Sequence, residues 1–419
     1  MKSVPRSPWI TLHRYLGLAA IPFLFIAAVT GSLLCFVRPL DTWLNADLFR
    51  QPVTVEQPSD VVGMMDRFAR AHPEWIVRSF PISVPGDSRI AVKVDAAPGH
   101  QDGGFDQIFL DRATGAIAGG RSTEAAFNRR GMAEWLVDFH SKLVMGTAGR
   151  WVMGAVAIAW LIGHLIGFYL TFPLKGPFWK GWKKSWKVSF RSMLAKFMLD
   201  WHRASALWLF VPLTVLALTS IGFNFFSEAY APAVEALFAK EKPEPVKARP
   251  LAHEMTFADA VAAGHAEAAR EKIDWQPATV LADPKDGTVG IALSDDGRLN
   301  YHGLGPIYYY FDRKSHALVK TLDPYHGDSE LAGYRLLYPL HSGRVGGNFT
   351  ILLVFLSGLA TAGLCVTGVY VWWKKRQSRV AARKAQVRRA TTAEGARHAA
   401  RSSLTLRGVA VSAPRHDGS

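Results

Sequence analysis

The chain has 419 residues, of which 49% are hydrophobic and 20% are charged, and its formal net charge is +15. A chain rich in both classes of residue is typical of membrane spans that alternate with soluble segments. Excess positive charge is also typical of nucleic-acid-binding proteins. Here, however, it is concentrated beside the apolar runs described next, so we predict no nucleic-acid partner.

Four runs of about 20 residues contain no Asp, Glu, Lys or Arg, and each is long enough to cross a hydrocarbon core of about 30 Å. They are residues 15–37, 151–173, 204–226 and 350–373. The pattern predicts a membrane α-helical protein with four transmembrane helices and with lipid as its surroundings. The segments between the first and second and between the third and fourth runs, residues 38–150 and 227–349, are long enough to form one domain each.

The basic residues indicate the orientation of the chain. The N-terminal residues 1–14, the loop 174–203 and the tail 374–419 together hold 23 of the 49 Lys and Arg residues but only three of the 34 acids. Short basic segments stay in the cytoplasm. We therefore expect both termini and the middle loop inside the cell, both domains outside it, and a tail without regular structure.

The sequence repeats itself once. His13-Arg14 at the first run returns as His202-Arg203 at the third, an offset of 189, and Thr30 matches Thr219 at the same offset. Later matches have an offset of 201. They pair Asp111 with Asp312, His140 with His341, and Gly167 with Gly368. Each repeat is a span, an outer domain and a second span, so we expect a symmetry axis along the membrane normal.

Each outer domain reads as a helix followed by short strands. The predicted helices cover residues 59–71 and 257–272, and the predicted strands include residues 89–94, 105–111 and 307–312. Gly115 provides a turn after the second of these strands. We predict a helix packed on a small antiparallel sheet in each domain, with the tyrosines at 308–310 in a strand core and a proline-rich linker at 241–250.

The positions of the histidines are the feature of the sequence that indicates chemistry. Five histidines lie within or beside the spans, where an imidazole is costly unless it is paired or ligated. They are His13, His140, His164, His202 and His341. A role in contacting lipid headgroups or capping helix carbonyls is the alternative for each of them. The other histidines are expected on the surface, with a weak iron or substrate contact open for His100, His302 and His326.

Four of these histidines form two symmetry-related pairs, His13 with His202 and His140 with His341. Residues related by a two-fold axis lie at equal depth, and two imidazoles facing across it can ligate one flat metal macrocycle. We therefore predict two hemes of the b type, one near each membrane surface. The adjacent Arg14, Arg203 and Arg344 are candidates for neutralising the heme propionates.

His164 has no histidine partner, because its repeat position is Cys365. Helix rise from the predicted span ends places His164 roughly 10–15 Å deeper than His13 and His202. Three roles stay open: a heme ligand that replaces His13 or His202, a proton carrier, or a hydrogen-bonded packing residue.

Four stretches of the sequence resemble the PepSY-associated transmembrane family, of the iron-regulated inner-membrane type. Residues 12–18 read LHRYLGL, 109–115 read FLDRATG, 338–347 read YPLHSGRVGG and 367–372 read TGVYVW. The resemblance covers roughly residues 8–376. It implies a bacterial inner membrane, two small α+β PepSY-like domains in the periplasm and, for some members, heme-dependent reduction of ferric siderophores. The sequence departs from the pattern at His316, where the first domain has Gly115.

Two functions from different classes follow. The first is a heme-dependent oxidoreductase that passes electrons across the membrane to ferric iron or a ferric siderophore, whose oxygen ligands hold Fe(III) better than Fe(II). Because no nicotinamide or flavin motif is visible, a quinol or another protein would donate the electrons. The second is a non-redox PepSY module that binds or regulates a periplasmic partner or peptidase. Metal transport is weaker, because the spans lack the acids that ion pathways use.

Overall fold

The structure is a computed structural model that describes residues 6–52, 60–100, 103–238, 250–251, 253–299 and 302–409, with the backbone alone at 390 and 394–409. Most of the predicted linker 241–250 lies outside these residues. The chain divides into two compact units. The first unit is Met1–Leu170 with Ala206–Ala362, and the second is Thr171–Ser205 with Gly363–Ser419.

Helices and strands follow in chain order. The helices are α1 (Arg6–Leu34), α2 (Val37–Leu44), α3 (Ala46–Phe49), α4 (Val61–Ala71), α5 (Met132–Lys142), α6 (Gly146–Leu170), α7 (Phe178–Trp182), α8 (Leu194–Trp208), α9 (Phe210–Asn224), α10 (Ala231–Phe238), α11 (Phe257–Arg270), α12 (Ser329–Ser342) and α13 (Gly347–Val409). The strands are β1 (Trp75–Pro81), β2 (Ile90–Ala96), β3 (Gln107–Leu110), β4 (Ile117–Arg121), β5 (Gln276–Asp283), β6 (Thr288–Ser294), β7 (Ile307–Asp312) and β8 (Leu318–Leu322).

Three helices among the described residues are long and apolar enough to cross a membrane: Arg6–Leu34, Gly146–Leu170 and Arg344–Ala393. Helices α8 and α9 meet that criterion only together, and they are bent by 72° at their break. Pro212 is the third residue of α9, and its ring clashes with the carbonyl four residues earlier, at the last residue of α8. The structure therefore has three candidate spans, or four if the bent pair is one span.

Two predicted boundaries differ from the structure. Helix α1 begins at Arg6, nine residues before the predicted span, because the hydrophobic residues Trp9, Ile10 and Leu12 extend the apolar pattern toward the N-terminus. Helix α13 runs past the predicted span into the tail, as far as Val409. Residues 374–393 are rich in Ala, Arg, Lys and Gln and contain no Gly or Pro, a composition that favours helix.

The strands of both predicted domains form one eight-stranded antiparallel sheet in the order β4-β3-β2-β1-β5-β6-β7-β8. Strand β1 pairs with β5 through Ser79 opposite Leu281 and Phe80 opposite Val280. This pairing was not predicted. It joins β1, the edge strand of one half, to β5, the edge strand of the other. Neither β1 nor β5 is therefore left as an open edge that could pair with another chain.

Helices α4 and α11 pack on this sheet and close its core. Met65 from α4, Ala260 from α11, Val92 from β2 and Tyr309 from β7 all have essentially no exposed surface. Helix α11 begins with a capping box in which Thr256 and Asp259 each satisfy the other's backbone N–H group. Each half has the predicted helix packed on antiparallel strands, but the prediction of a separate small sheet in each domain is wrong, because the strands form one continuous sheet with a shared core.

Candidate functional site

His140 and His341 come together in the first unit. His140 lies in the last turn of α5 and His341 in the last turn of α12. Each helix ends within two residues of its histidine, because Leu143 and Gly343 adopt left-handed backbone conformations with φ of 56° and 76°. The imidazole ring centres are 6.1 Å apart and the ring planes are inclined by 57°. The repeat therefore brings together the two histidines that sequence symmetry pairs.

A threonine from a neighbouring helix holds each of these rings. The Nδ1 atom of His140 is 3.0 Å from Oγ1 of Thr30 in α1, and Nδ1 of His341 is 2.9 Å from Oγ1 of Thr219 in α9. Thr30 donates its own hydroxyl proton to the carbonyl of Ile26, and Thr219 donates to that of Val215.

The threonine bonds assign the protonation of the two rings. Because each hydroxyl proton is committed to a helix carbonyl, the hydroxyl oxygen accepts from Nδ1–H of the histidine. The lone pair of each ring therefore lies on Nε2. Burial lowers the pKa of His140 to about 4 and that of His341 to about 3, so both rings are neutral at pH 7. A neutral imidazole with a fixed tautomer is the form that ligates a metal.

Close approach of α1 to His140 depends on a glycine. A Cβ atom at Gly31 would lie 2.9 Å from Cε1 of His140, tighter than side chains tolerate. The same position in the second repeat is Ser220, whose hydroxyl donates to the carbonyl of Leu216. The two halves of the site are thus similar in hydrogen bonding but not identical in packing.

His13 and His202 show the same use of Nδ1. Nδ1 of His13 donates to the carbonyl oxygen of Gly163 at 2.8 Å in the first unit. Nδ1 of His202 is 3.0 Å from Oγ1 of Thr367 in the second unit, and this hydroxyl donates to the carbonyl of Gly363. Each unit therefore holds one of these rings through Nδ1, and the pairing of His13 with His202 stays a prediction from the sequence.

His164 is held through its other nitrogen. Its Nε2 donates to the carbonyl oxygen of Phe210 at 3.2 Å, and its ring stacks on the Phe210 ring at 4.8 Å. The predicted depth difference between His164 and His13 is wrong, because His13 bonds to Gly163, the neighbour of His164 in α6. Since α1 begins at Arg6, His13 lies two turns inside the helix. Of the three open roles, this geometry favours a hydrogen-bonded packing residue.

The three arginines predicted near propionates have different surroundings. The Arg203 guanidinium donates to the Asp200 carboxylate at 3.1 Å and to the carbonyl of Lys184. Arg14 follows His13 in α1, and Arg344 follows α12 by two residues. Arg203 is therefore already paired with an acid, and the propionate role of all three residues stays a prediction.

A cavity of about 460 Å³ lies beside His341 in the first unit. It was not predicted from the sequence. Its walls come from α9, α12, β7 and the loop before β7. They are Phe223, Gly303, Leu304, Gly305, Pro306, Tyr308, Tyr334, Arg335, Tyr338 and Pro339. The prediction of tyrosines 308–310 as strand core holds for Tyr309 alone. Because strand side chains alternate, Tyr308 faces the cavity.

Two histidines of the second predicted domain, His316 and His326, make local contacts. His326 contacts the Asp323 carboxylate at 2.7 Å, and the His316 ring donates to the carbonyl of His253. Within the described part of the chain, no group of three or more His, Cys, Asp or Glu side chains is arranged to hold a metal ion. A metal held by protein side chains alone is therefore not indicated there, whereas a macrocycle that supplies its own equatorial ligands needs only two imidazoles.

Comparison with known proteins identifies the family. The profile of the PepSY-associated TM region matches residues 10–375, which is most of the chain. A comparison with curated proteins gives no significant match. Together with the apolar helices, the family match shows a membrane protein.

Proposed function

The chain belongs to the PepSY-associated transmembrane family, and from this premise we propose that it is a heme-containing oxidoreductase of the bacterial inner membrane. It passes electrons across the membrane to ferric iron or a ferric siderophore in the periplasm and releases Fe(II). The proposal includes four spans, both termini in the cytoplasm and two PepSY-like domains in the periplasm.

The His140–His341 pair is the observation that supports this proposal. Two imidazoles that bind one metal from opposite sides, each with a nitrogen about 2 Å from the ion, place their ring centres roughly 6 Å apart. The observed separation is 6.1 Å. Rotation about each metal–nitrogen bond leaves the angle between the ring planes free, so an inclination of 57° is compatible. The residues present therefore fit a heme that His140 and His341 would hold through their imidazole rings.

Thr30 and Thr219 orient these ligands. A hydrogen bond from Nδ1–H to an acceptor fixes the ring and raises the basicity of the opposite nitrogen. When bound, heme supplies a one-electron carrier at this position. The protein contributes two neutral imidazoles, two fixed tautomers and the surrounding helices.

A second heme, held by His13 and His202, completes the proposal. The matching use of Nδ1 in both residues supports a ligand role for each. His164 is left out of the proposed ligand set, because its Nε2 is bonded to Phe210. Electrons would come from a membrane quinol or another protein.

The test is an absorption spectrum combined with a reductase assay. Protein purified in detergent from heme-replete cells is scanned oxidised and after dithionite, and reduction of a ferric chelate is followed with a ferrous-specific dye. We expect the absorption spectrum of a six-coordinate heme, with separate visible bands after reduction, and formation of Fe(II). His265→Ala, on the exposed face of α11, is the control and leaves both unchanged. A colourless preparation would instead support the alternative of a non-redox PepSY module that binds a periplasmic partner or peptidase.

A further inference from the structure

The cavity beside His341 is built from aromatic rings and one charged side chain. Among its ten lining residues, Phe223, Tyr308, Tyr334 and Tyr338 supply rings, and Arg335 carries the single charge. Its volume of about 460 Å³ lies within the range of sites for small organic ligands. Aromatic walls can stack against a flat ring, and a guanidinium group among them attracts an anionic oxygen.

Hydrogen bonds hold the cavity walls in place. The Arg335 guanidinium donates to the carbonyl of Pro306 at 2.6 Å and lies over the Tyr308 ring at 5.2 Å. The Tyr325 hydroxyl accepts from the backbone N–H of Leu304 and donates to the carbonyl of Gly305. Two lining residues, Gly303 and Gly305, have positive φ, so glycine permits the bend of this loop. The walls are therefore formed before a ligand arrives.

The cavity is close to the proposed outer heme ligand. Phe223 lines the cavity, and its ring meets the His341 ring edge-on with centres 5.5 Å apart. Tyr338 and Pro339 line the cavity from the same last turns of α12 that carry His341. A molecule in the cavity therefore lies one aromatic ring away from His341.

We propose that this cavity binds the electron acceptor, a ferric chelate with anionic aryl-oxygen ligands of the catecholate class. This inference rests on the proposed function and specifies its substrate. Catecholate complexes of Fe(III) carry negative charge and present flat rings, which match Arg335 and the four aromatic walls. A neutral hydroxamate complex has neither feature, and a neutral quinone does not need the cation.

Binding of a redox-inert analogue tests this assignment separately from catalysis. Gallium(III) tris(catecholate) is dialysed against the purified full-length protein in detergent, and bound gallium is measured by mass spectrometry. Gallium(III) tris(acetohydroxamate) and a short-chain ubiquinone are the comparison ligands. We expect saturable binding of the catecholate complex alone. Equal binding of the hydroxamate complex, or full displacement by ubiquinone, would overturn the proposal.

Three variants place the binding in the cavity. Arg335→Gln removes a charge-assisted contact and weakens binding about tenfold or more. Leu304→Trp fills the cavity without removing an anchor, so it abolishes binding even if Arg335→Gln fails to fold. Arg298→Gln, an exposed arginine outside the cavity, is the control and keeps normal affinity. Unchanged binding in folded Leu304→Trp would contradict the proposal.

The outcomes separate this inference from the proposed function. Gallium binding requires neither heme nor reduction. Binding to a protein that contains no heme would confirm a catecholate-binding cavity but reject both the reductase and the role of the chelate as electron acceptor. A protein that contains heme and reduces iron but does not bind the catecholate complex would do the reverse.

Discussion

At the scale of single residues, the informative feature is which imidazole nitrogen is occupied. His13, His140, His202 and His341 all use Nδ1, with partners at 2.8–3.0 Å. His164 uses Nε2. The sequence pairs the histidines by repeat position, and the hydrogen bonding distinguishes His164 from the other four.

Removing the threonine acceptors should change the outer heme while keeping both ligands. In Thr30→Val and Thr219→Val, Nδ1–H loses its threonine acceptor, so the imidazole becomes less basic and would stabilise Fe(III) less well. We expect the midpoint potential of one heme to rise and heme affinity to fall by about 10–100-fold. Spectroelectrochemical titration measures both effects. Thr214→Val, whose hydroxyl contacts only the Phe210 carbonyl in the same helix among the contacts described, is the control. An unchanged potential in both test variants would refute this role.

At the scale of elements, much of the secondary structure could be predicted and its assembly could not. Strand β7 (Ile307–Asp312) matches its prediction, and α11 matches within two residues, because hydrophobic period and capping are local signals. The pairing of β1 with β5 joins segments about 200 residues apart, and no local pattern encodes that register. The break between α8 and α9 was missed because hydropathy ignores the effect of Pro212 on the helix backbone.

The site shows the same division between local and tertiary signals. Repeat matching predicted that His140 pairs with His341, and it also flagged Thr30 and Thr219 without giving them a role. The cavity was missed because its walls come from α9, α12 and a loop near β7. Only the fold brings these segments together.

Packing between α1 and α5 depends on Gly31. We expect Gly31→Ala to force the His140 ring away, because the added Cβ would lie 2.9 Å from Cε1. Overpacking of this kind costs about 1–3 kcal/mol, which should appear as lower heme occupancy and a lower thermal midpoint. Ser220→Ala, at the equivalent position of the second repeat, already has a Cβ and should retain full occupancy. Equal loss in the two variants would show that the glycine has no special role.

At the scale of the whole molecule, orientation in the membrane sets the direction of the proposed electron transfer. The basic segments predict both termini inside, and in the proposed orientation the eight-stranded sheet would lie in the periplasm. Gly104 and Gly287 both lie in turns with positive φ and are suitable fusion points. A reporter enzyme that functions only in the periplasm should be active at both positions, and one that functions only in the cytoplasm should be inactive. Cytoplasmic activity at either position would overturn the orientation, and with it the direction of electron transfer.

Heme stoichiometry tests whether His140 and His341 bind one shared heme. Heme per protein is determined for the wild type, His140→Ala, His341→Ala and the double variant, with His164→Phe as the matched control. If both imidazoles bind one iron, each single variant loses the same heme, the double variant loses no more, and His164→Phe keeps the wild-type ratio. Additive loss in the double variant, or full heme content in either single variant, would contradict the shared site.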